Sequence, residues 1–316
     1  MIEATGLTKR YGGKVAVDHL SFTVRPGAVT GFLGPNGAGK STTMRLMLGL
    51  DRGEGQTLFD GKRYEELRQP LRSVGALLEA KAFHPTRSAR NHLRMMAAGS
   101  GVPTSRVDEV LEVVGLTSVA KAKPKGFSLG MGQRLGLAAA LLGQPDVLML
   151  DEPANGLDPQ GIHWLRSFLR SYAASGRTVF VSSHLLSEMQ LMADHLIVVG
   201  KGRMIADTPV ADFVEASVRS AVVVRSPGAE RLAVALRARG AQVEVEADGA
   251  LAVTGVEQAA VGDTALAEGV ALHELSSRRA SLEEAFIEMT GSSEEFQGSP
   301  DAAVTGGGAT RAGEAR

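Results

Sequence analysis

Short apolar runs alternate with segments of helical period from Ile2 to about residue 200. The runs "AVTGFLG", "DVLMLDE", "RTVFVSS" and "HLIVVGKGR" have the length and composition of buried strands. Strands that alternate with helices are typical of an α/β domain with a largely parallel sheet. We therefore predict such a domain over residues 1–216.

A stretch without strand patterns interrupts this domain between about Glu79 and Leu142. Its segments "SARNHLRMMAA", "SRVDEVLEVVGL" and "QRLGLAAALLG" repeat apolar residues at helical spacing. We interpret residues 79–142 as a helical subdomain inserted into the α/β domain.

A second pattern begins near residue 217 and follows the order β-α-β-β-α-β. The strands are "SAVVVRS", the two halves of "QVEVEADGALAVTG", and "VALHELS", with helical segments near residues 230–239 and 257–267. This order predicts a small α+β, ferredoxin-like accessory domain over residues 217–290.

The central hairpin of that domain has two registers to choose from. A three-residue loop at 247–249 would place Val245 opposite Leu251 and put Gly249 in a left-handed conformation. The same register would place Val243 opposite Val253. A two-residue Asp-Gly turn would pair these valines with glutamates, so the longer loop is favoured.

The C-terminal part combines a helical pattern with a tail of low complexity. "SLEEAFIEM" has a capping box, Ser281 to Glu284, and an apolar stripe that predicts a docking helix. The stripe consists of Leu282, Ala285, Phe286 and Met289. Residues 291–316 contain six glycines and one aromatic residue, which predicts a disordered tail.

Composition narrows the classes of protein. The 316-residue chain has no cysteine, which excludes disulfides, thiolate metal sites and cysteine nucleophiles. Its formal net charge of −1 gives no reason to expect a nucleic-acid partner. The N-terminus lacks the apolar core of a signal peptide, and no stretch approaches the roughly 18 apolar residues of a membrane span. We expect any membrane role to depend on a partner.

The segment "GPNGAGKST" matches the phosphate-binding pattern G-x-x-x-x-G-K-[ST] and lies between a predicted strand and a predicted helix. Its glycines permit a tight turn that points backbone N–H groups at phosphates, and the helix N-terminus adds positive potential. Lys40 would neutralise phosphate oxygens, and the Ser41 hydroxyl would bind Mg²⁺. The predicted binding residues are Gly34, Pro35, Asn36, Gly37, Ala38, Gly39, Lys40, Ser41 and Thr42.

Two acids end the apolar strand of "VLMLDEP". Asp151 would lie beside the phosphate loop and hold Mg²⁺ through water, and Glu152 would orient or deprotonate the attacking water. Consecutive acids at a strand end can simply be solvated, but the neighbouring phosphate loop favours a catalytic interpretation.

A histidine ends another apolar strand, in "RTVFVSSHL". Parallel strands end at the same sheet edge, so His184 would lie near Glu152 and the γ-phosphate. There its ring could donate a hydrogen bond to charge that develops during transfer.

Together these segments resemble the ATP-binding cassette (ABC) ATPases, the nucleotide-binding subunits of ABC transporters. The resemblance covers about residues 2–220 and implies a P-loop NTPase fold. "SLGMGQ" is similar to the family's signature motif, which in one cassette closes over the ATP of another. Ser128 and Gly130 fit that role, because a hydroxyl and glycine N–H groups at a helix N-terminus form an anion site.

The resemblance also implies roles for three further residues. Tyr11 in "LTKRYGG" would stack on adenine, and Asp158 in "NGLD" would belong to the loop that crosses between subunits. Glu79 stands where the family has a glutamine that touches Mg²⁺ and faces the membrane partner. The sequence departs from the family there and in the signature, where Leu129 and Met131 replace glycine and glutamine.

The implied function is an ATP-hydrolysing subunit that uses ATP and Mg²⁺. It would form a homodimer or heterodimer around two ATP molecules and drive a separately encoded transmembrane permease at the cytoplasmic face of the membrane. Resemblance to the drug and antibiotic-peptide branch implies export of a drug, antibiotic or lipid-like compound. The accessory domain resembles the C-terminal extension of daunorubicin-exporter ATPases. It would be a regulatory module, a module that docks the permease, or a spacer.

Two other functions share part of this pattern. A soluble ABC ATPase that acts on DNA ends or ribosomes usually carries a long coiled coil or two cassettes, and this chain has neither pattern. A GTPase or phosphotransfer enzyme would share the phosphate loop only, and an N-K-x-D segment that reads guanine is absent.

Overall fold

The computed structural model describes residues 1–79, 83–84, 86–184, 186–215 and 221–278, together with Leu282 and Phe286. Its strands are β1 (Ile2–Tyr11), β2 (Lys14–Val24), β3 (Val29–Leu33), β4 (Glu54–Phe59), β5 (Val74–Leu77), β6 (Val147–Leu150), β7 (Thr178–Ser183), β8 (His195–Gly200), β9 (Arg203–Pro209), β10 (Ala221–Arg225), β11 (Gln242–Val245), β12 (Leu251–Thr254) and β13 (Glu274–Arg278).

The helices are α1 (Lys40–Met47), α2 (Pro70–Ser73), α3 (Ala89–Gly99), α4 (Ser105–Val113), α5 (Leu129–Leu141), α6 (Pro159–Ala174), α7 (Leu186–Met192), α8 (Val210–Glu215), α9 (Ala229–Ala238) and α10 (Gln258–Ala267). Single 3₁₀ turns occupy Tyr64–Glu66, Thr117–Val119 and Pro124–Gly126. Within the described ranges, no helix combines the length and the apolar character that crossing a membrane requires.

A six-stranded sheet with the order β5-β6-β7-β3-β8-β9 forms the centre of the N-terminal α/β part of the chain. All neighbouring pairs are parallel except β8 with β9, so the predicted mixed, largely parallel sheet is confirmed. Every residue of β3, β6 and β7 is buried, because helices or a second sheet cover both faces. The carboxyl ends of these strands meet at one edge, where the predicted site residues follow.

A separate antiparallel sheet with the order β2-β1-β4 covers part of the central sheet. The sequence interpretation did not separate it from the α/β pattern. The burial of β2 shows why it forms, since Leu20, Phe22 and Val24 are buried and alternate with exposed residues. The Phe22 ring lies 5.9 Å from the Phe32 ring and 5.6 Å from the Phe180 ring, which joins the two sheets.

Helices α3, α4 and α5 pack together between β5 and β6 in chain order, at the place where the sequence predicted helices. Leu93, Leu111 and Leu135 from the three helices belong to one buried cluster. The Arg134 guanidinium donates to the Val114 carbonyl at 2.9 Å and lies 5.0 Å from the centre of the Trp164 ring. This side chain therefore connects α5 with the end of α4 and with α6.

The C-terminal domain has an antiparallel sheet with the order β11-β12-β10-β13, and α9 and α10 lie in the predicted β-α-β-β-α-β order. This is the ferredoxin-like arrangement that the sequence predicted. The hairpin register is also confirmed, since Val245 pairs with Leu251 and Val243 with Val253, and Gly249 has φ 80°. The strand predicted from "SAVVVRS" begins at Ala221.

Two residues of the predicted docking helix contact the N-terminal α/β part of the chain. Leu282 and Phe286 have helical conformation, and the fully buried Leu282 belongs to the same apolar cluster as Met189 and Met192 of α7. The Leu282 N–H donates to Gln190 Oε1 at 3.2 Å. The predicted capping box and the tail at 291–316 lie outside the described residues.

Candidate nucleotide-binding site

The predicted phosphate loop connects the carboxyl end of β3 to the first residue of α1. Gly39 has φ 99°, and a Cβ atom there would lie 2.4 Å from the Ala16 carbonyl oxygen. Only glycine fits this combination of left-handed backbone and close approach. The loop therefore delivers the start of α1, with its unpaired N–H groups, to the sheet edge.

Lys40 is buried within the loop that it follows. Its ammonium donates to the Gly34 carbonyl at 2.7 Å and to the Pro35 carbonyl at 3.3 Å, and lies 3.8 Å from Glu152 Oε1. Burial lowers the pKa of the Lys40 amine, while the nearby carboxylates of Glu152 and Asp151 oppose that shift. The structure thus brings together the cation and the acid predicted from separate motifs.

Asp151 follows β6 and has a buried carboxylate. Its N–H donates to the Leu77 carbonyl at 2.7 Å, which fixes the residue against the end of β5. Its Oδ1 accepts a hydrogen bond from the Ser182 hydroxyl of β7. The second carboxylate oxygen and the fixed backbone leave Asp151 able to accept from a metal-bound water.

Glu152 occupies a backbone conformation that non-glycine residues rarely adopt, with φ 49°. Its N–H donates to Ser182 Oγ at 2.9 Å, and its carbonyl accepts from Gln133 Nε2 at 3.0 Å. Its Oε2 lies 2.7 Å from His184 Nδ1 and accepts from the His184 N–H at 3.2 Å. The predicted pair of Glu152 and His184 is therefore in direct contact.

Sequence reasoning missed Ser182 and Gln133. Ser182 is fully buried and links Asp151 to Glu152 through one hydroxyl, which accepts from one residue and donates to the other. The available signal was a polar residue inside the buried strand "TVFVSS". Gln133 gave a similar signal, as an amide among the small apolar residues of α5.

Tyr11 lies at the β1–β2 hairpin, with an exposed ring. Its hydroxyl donates to Asp51 Oδ2 at 3.1 Å, and the Lys9 ammonium lies 4.8 Å from the ring centre. Arg45 of α1 donates to both Asp51 oxygens, and these hydrogen bonds hold the pKa of the Asp51 carboxyl below its usual value. Arg45 also lies 3.9 Å from the exposed Glu79 carboxylate.

Glu79 and Glu152 lie in matching positions, each two residues beyond the Leu77–Leu150 pair of β5 and β6. The contact described for the Glu79 carboxylate is the one with Arg45. Among the residues that the structure describes, no group of three or more His, Cys, Asp or Glu side chains could hold a metal alone. The exposed Ser41 hydroxyl and the Asp151 carboxylate are hard oxygen donors that suit Mg²⁺, which usually keeps waters and takes other ligands from phosphates.

Ser128 and Asp158 cap helices. Ser128 Oγ accepts from the Met131 N–H at 3.2 Å at the start of α5, and Asp158 Oδ1 accepts from the Gly161 N–H at 2.9 Å at the start of α6. The start of α5 touches the loop before α6, because a Cβ atom at Gly130 would lie 2.5 Å from the Gly156 carbonyl oxygen. The partly exposed Leu129 side chain lies against Gly156, where it would meet a Cβ atom at 2.6 Å.

This fold and this arrangement of loop, lysine, acids and histidine define a P-loop nucleotide-binding cassette. The profile of the ABC transporter family matches residues 17–155, and a domain of unknown function (DUF8746) matches residues 220–283. The "Uncharacterized ABC transporter ATP-binding protein YhcH" of Bacillus subtilis is 37% identical over 93% of this chain and 97% of its own length. The bacitracin transport ATP-binding protein BcrA of Bacillus licheniformis is 43% identical over 66% of this chain and 70% of its length.

Solved structures with a similar fold are also ATP-binding parts of ABC transporters. An ATP-binding subunit of an ABC transporter matches with a TM-score of 0.62 and 26% identity, over 67% of this chain and 91% of that chain. A dimeric bacterial ABC transporter cassette, MJ0796, has the same fold at 22% identity, with a TM-score of 0.61 over 66% of this chain and 99% of its own. The chain belongs to the ATP-binding proteins of the ABC transporter family and is an ATPase subunit of that family.

Proposed function

We propose that this chain hydrolyses ATP at the site built around Lys40 and Glu152, and that a dimer of cassettes thereby drives a separately encoded permease. The contact of the Glu152 carboxylate with both Lys40 and His184 carries this proposal. In this proposal the Glu152 carboxylate would be the base, with Lys40 as the group that binds phosphate on one side and His184 as a group that can donate to a phosphate oxygen on the other. We propose that the cassette occupies residues 1–216 and the accessory domain residues 217–290.

The phosphate loop would bind the nucleotide. Its N–H groups and the N-terminus of α1 would hold the β- and γ-phosphates, and Lys40 would exchange its loop carbonyls for phosphate oxygens. Bound Mg²⁺ would supply charge neutralisation between the phosphates. Ser41 and Asp151 would hold the ion, with Glu79 accepting from one of its waters, and Tyr11 would present its exposed ring to adenine.

Glu152 would accept a proton from the attacking water, since its carboxylate is fixed but not buried as deeply as Asp151. His184 would hold that carboxylate through Nδ1–H, and in its doubly protonated form it would also donate from Nε2–H to the transferred phosphoryl group.

A second subunit would complete each site. Ser128 and Gly130 lie at the first turn of α5, where N–H groups and a hydroxyl can bind anions without a lysine or metal of their own. We propose that they contact the ATP held by Lys40 of the other subunit, and that the loop before Asp158 lies at this interface.

The relatives indicate the class of cargo. Those named above include a bacitracin transport protein, and two further relatives of 37% identity are lantibiotic transport ATP-binding proteins of Streptococcus pyogenes. We propose that the dimer powers export of an antibiotic peptide or a similar amphipathic compound from the cytoplasmic face of the membrane. The accessory domain would regulate the cassette or dock the permease.

Steady-state hydrolysis tests the catalytic assignment. Glu152→Gln should lower kcat for ATP by about 100-fold or more, because it removes the base. Lys40→Ala should weaken ATP binding, and the exposed Glu244→Gln should leave both quantities unchanged. Wild-type hydrolysis in the Glu152→Gln variant would exclude Glu152 as the base, and stronger competition by GTP than by unlabelled ATP would contradict ATP as the substrate.

Purification of the tagged full chain from detergent-extracted membranes tests the partner. A stoichiometric membrane protein with several spans should co-purify, and its association should survive Glu152→Gln. Recovery of ribosomes or DNA in its place would favour a soluble ABC ATPase.

A further inference from the structure

Gln133 is a single amide on the buried side of α5. Only 5% of the residue is exposed, and its Nε2 donates to the Glu152 carbonyl at 3.0 Å. Its Oε1 is buried and has no hydrogen-bond partner in the described part of the chain. A carbonyl can only accept, so the contact with Glu152 fixes the amide in this orientation. A leucine would fill similar space without leaving a polar atom unpaired, so the amide is not explained by stability.

The peptide that Gln133 holds is the one that aims the proposed base. Glu152 has φ 49°, and such a conformation persists only when its surroundings hold it. Ser182 of β7 accepts from the N–H of Glu152, and Gln133 of α5 donates to its carbonyl. The Asn155 N–H also reaches that carbonyl, at 3.2 Å, from the same loop. Gln133 is thus a direct hydrogen-bonded contact between α5 and Glu152.

The helix that carries Gln133 begins with the signature segment. Gln133 follows Ser128 by five residues, which is about 7.5 Å along a helix. Gly130, between them, lies against the Gly156 carbonyl with no room for a Cβ atom. Helix α5 therefore contacts the loop from Glu152 to Asp158 at two levels, and a shift at its N-terminus must move Gln133 as well.

We propose that Gln133 is a positioning residue for hydrolysis, which ties the Glu152 carboxylate of a subunit to that subunit's own signature helix. The proposal rests on the proposed function, in which Ser128 closes over the ATP of the other subunit. When Ser128 of one subunit closes over the ATP of the other subunit, α5 would then set the orientation of Glu152 in the subunit that carries this Ser128. The two ATP sites of a dimer are in this way coupled through α5.

The test is Gln133→Leu in the full chain, with Leu135→Val as the matched control. Leu135 is equally buried on α5 and belongs to its apolar core. Gln133→Leu should lower kcat about tenfold or more and leave the KM for ATP within about twofold, while the control keeps both. An unchanged kcat, or a rise in KM that accounts for the loss, would overturn the proposal. If the leucine variant fails to bind ATP, Gln133→Asn, whose shorter amide cannot reach the carbonyl, is measured with the same expectation.

A second readout separates positioning from damage to the signature. In a Glu152→Gln background, Gln133→Leu should still dimerise with ATP, because Ser128 is untouched, whereas Ser128→Arg should not dimerise. Loss of dimerisation with Gln133→Leu would show that the residue places α5 itself and would overturn the proposal. Failure of the proposed function would give a different result. Either the wild-type chain would not hydrolyse ATP, or Lys40→Ala would hydrolyse ATP as the wild type does.

Discussion

At the scale of residues, Ser182 makes the two acids of the site a rigid pair. Its hydroxyl donates to Asp151 and accepts from the Glu152 N–H, and the residue is fully buried. An alanine would leave both groups unpaired, and a buried unpaired polar group costs about 1–3 kcal/mol.

We predict that Ser182→Ala lowers kcat by about tenfold, because Asp151 and Glu152 lose their common anchor. The loss should appear in kcat more than in the KM for ATP. Thr178→Val, at the other end of the same buried strand, removes a hydroxyl far from the acids and is the control. Equal effects of the two changes on hydrolysis would mean that β7 stability, and not the anchor, is responsible.

Sequence reasoning identified site residues that lie in a short motif or directly after a strand, and it missed polar residues inside buried segments. Lys40 and Asp151 could be predicted because a short motif specifies both their type and their place at the sheet edge. Ser182 and Gln133 act on Glu152 across 30 and 19 positions of chain, and a single polar residue in an apolar segment does not reveal its partner.

At the scale of elements, the start of α5 and the loop after β6 form one unit. Gly130 is the point of closest approach, because a Cβ atom there would lie 2.5 Å from the Gly156 carbonyl oxygen. Backbone lies on the other side of this contact, so the clash cannot be relieved by a side-chain rotation.

Gly130→Ala should therefore displace the signature segment, although alanine raises intrinsic helix propensity. We expect ATP hydrolysis to fall by about tenfold or more while ATP affinity of the monomer is retained. Gly126→Ala, where a Cβ atom meets nothing within 4 Å, is the control. Normal hydrolysis in Gly130→Ala would show that the loop and α5 separate without consequence.

Helix α6 is anchored by Tyr172, whose hydroxyl donates to the Pro145 carbonyl at 2.5 Å. Burial raises the pKa of Tyr172 from 10.0 to about 12. The unfolded chain loses this proton near pH 10 and the folded chain near pH 12, so the folded state binds more protons in between and stability falls as pH rises. We predict that wild type loses about 2 kcal/mol more unfolding free energy than Tyr172→Phe between pH 9 and pH 12, measured with urea. Parallel pH curves would contradict this prediction.

Element order could be predicted better than sheet membership. The β11–β12 register followed from the alternation of valines with glutamates, because one face of that hairpin is buried. The antiparallel sheet of β1, β2 and β4 did not follow from the sequence, because the pattern of one strand does not specify which strands pair with it. Pairing is decided by long-range packing such as that of Phe22 on Phe180.

At the scale of the whole molecule, Leu282 ties the C-terminal part of the chain to the cassette. It is fully buried and shares a cluster with α7, the helix that follows His184. The chain beyond β13 therefore contacts the cassette at α7, shortly after His184.

Leu282→Ala should destabilise the protein by about 2–5 kcal/mol, the range for a buried leucine, and lower its Tm. Leu266→Ala is the control, since Leu266 is 82% exposed and its change should fall within about 0.5 kcal/mol. Differential scanning calorimetry of both variants measures this. An unchanged Tm for Leu282→Ala would mean that the contact contributes nothing in solution.

The central claim is that each ATP site is completed by Ser128 of a second subunit. Light scattering of Glu152→Gln with and without ATP tests it most directly, because this variant should hold its nucleotide. The account predicts that ATP doubles the molecular mass of Glu152→Gln and leaves the Glu152→Gln, Ser128→Arg double variant monomeric, although the double variant still binds ATP. A double variant that dimerises as well as Glu152→Gln, or a Glu152→Gln protein that binds ATP and stays monomeric, would contradict it.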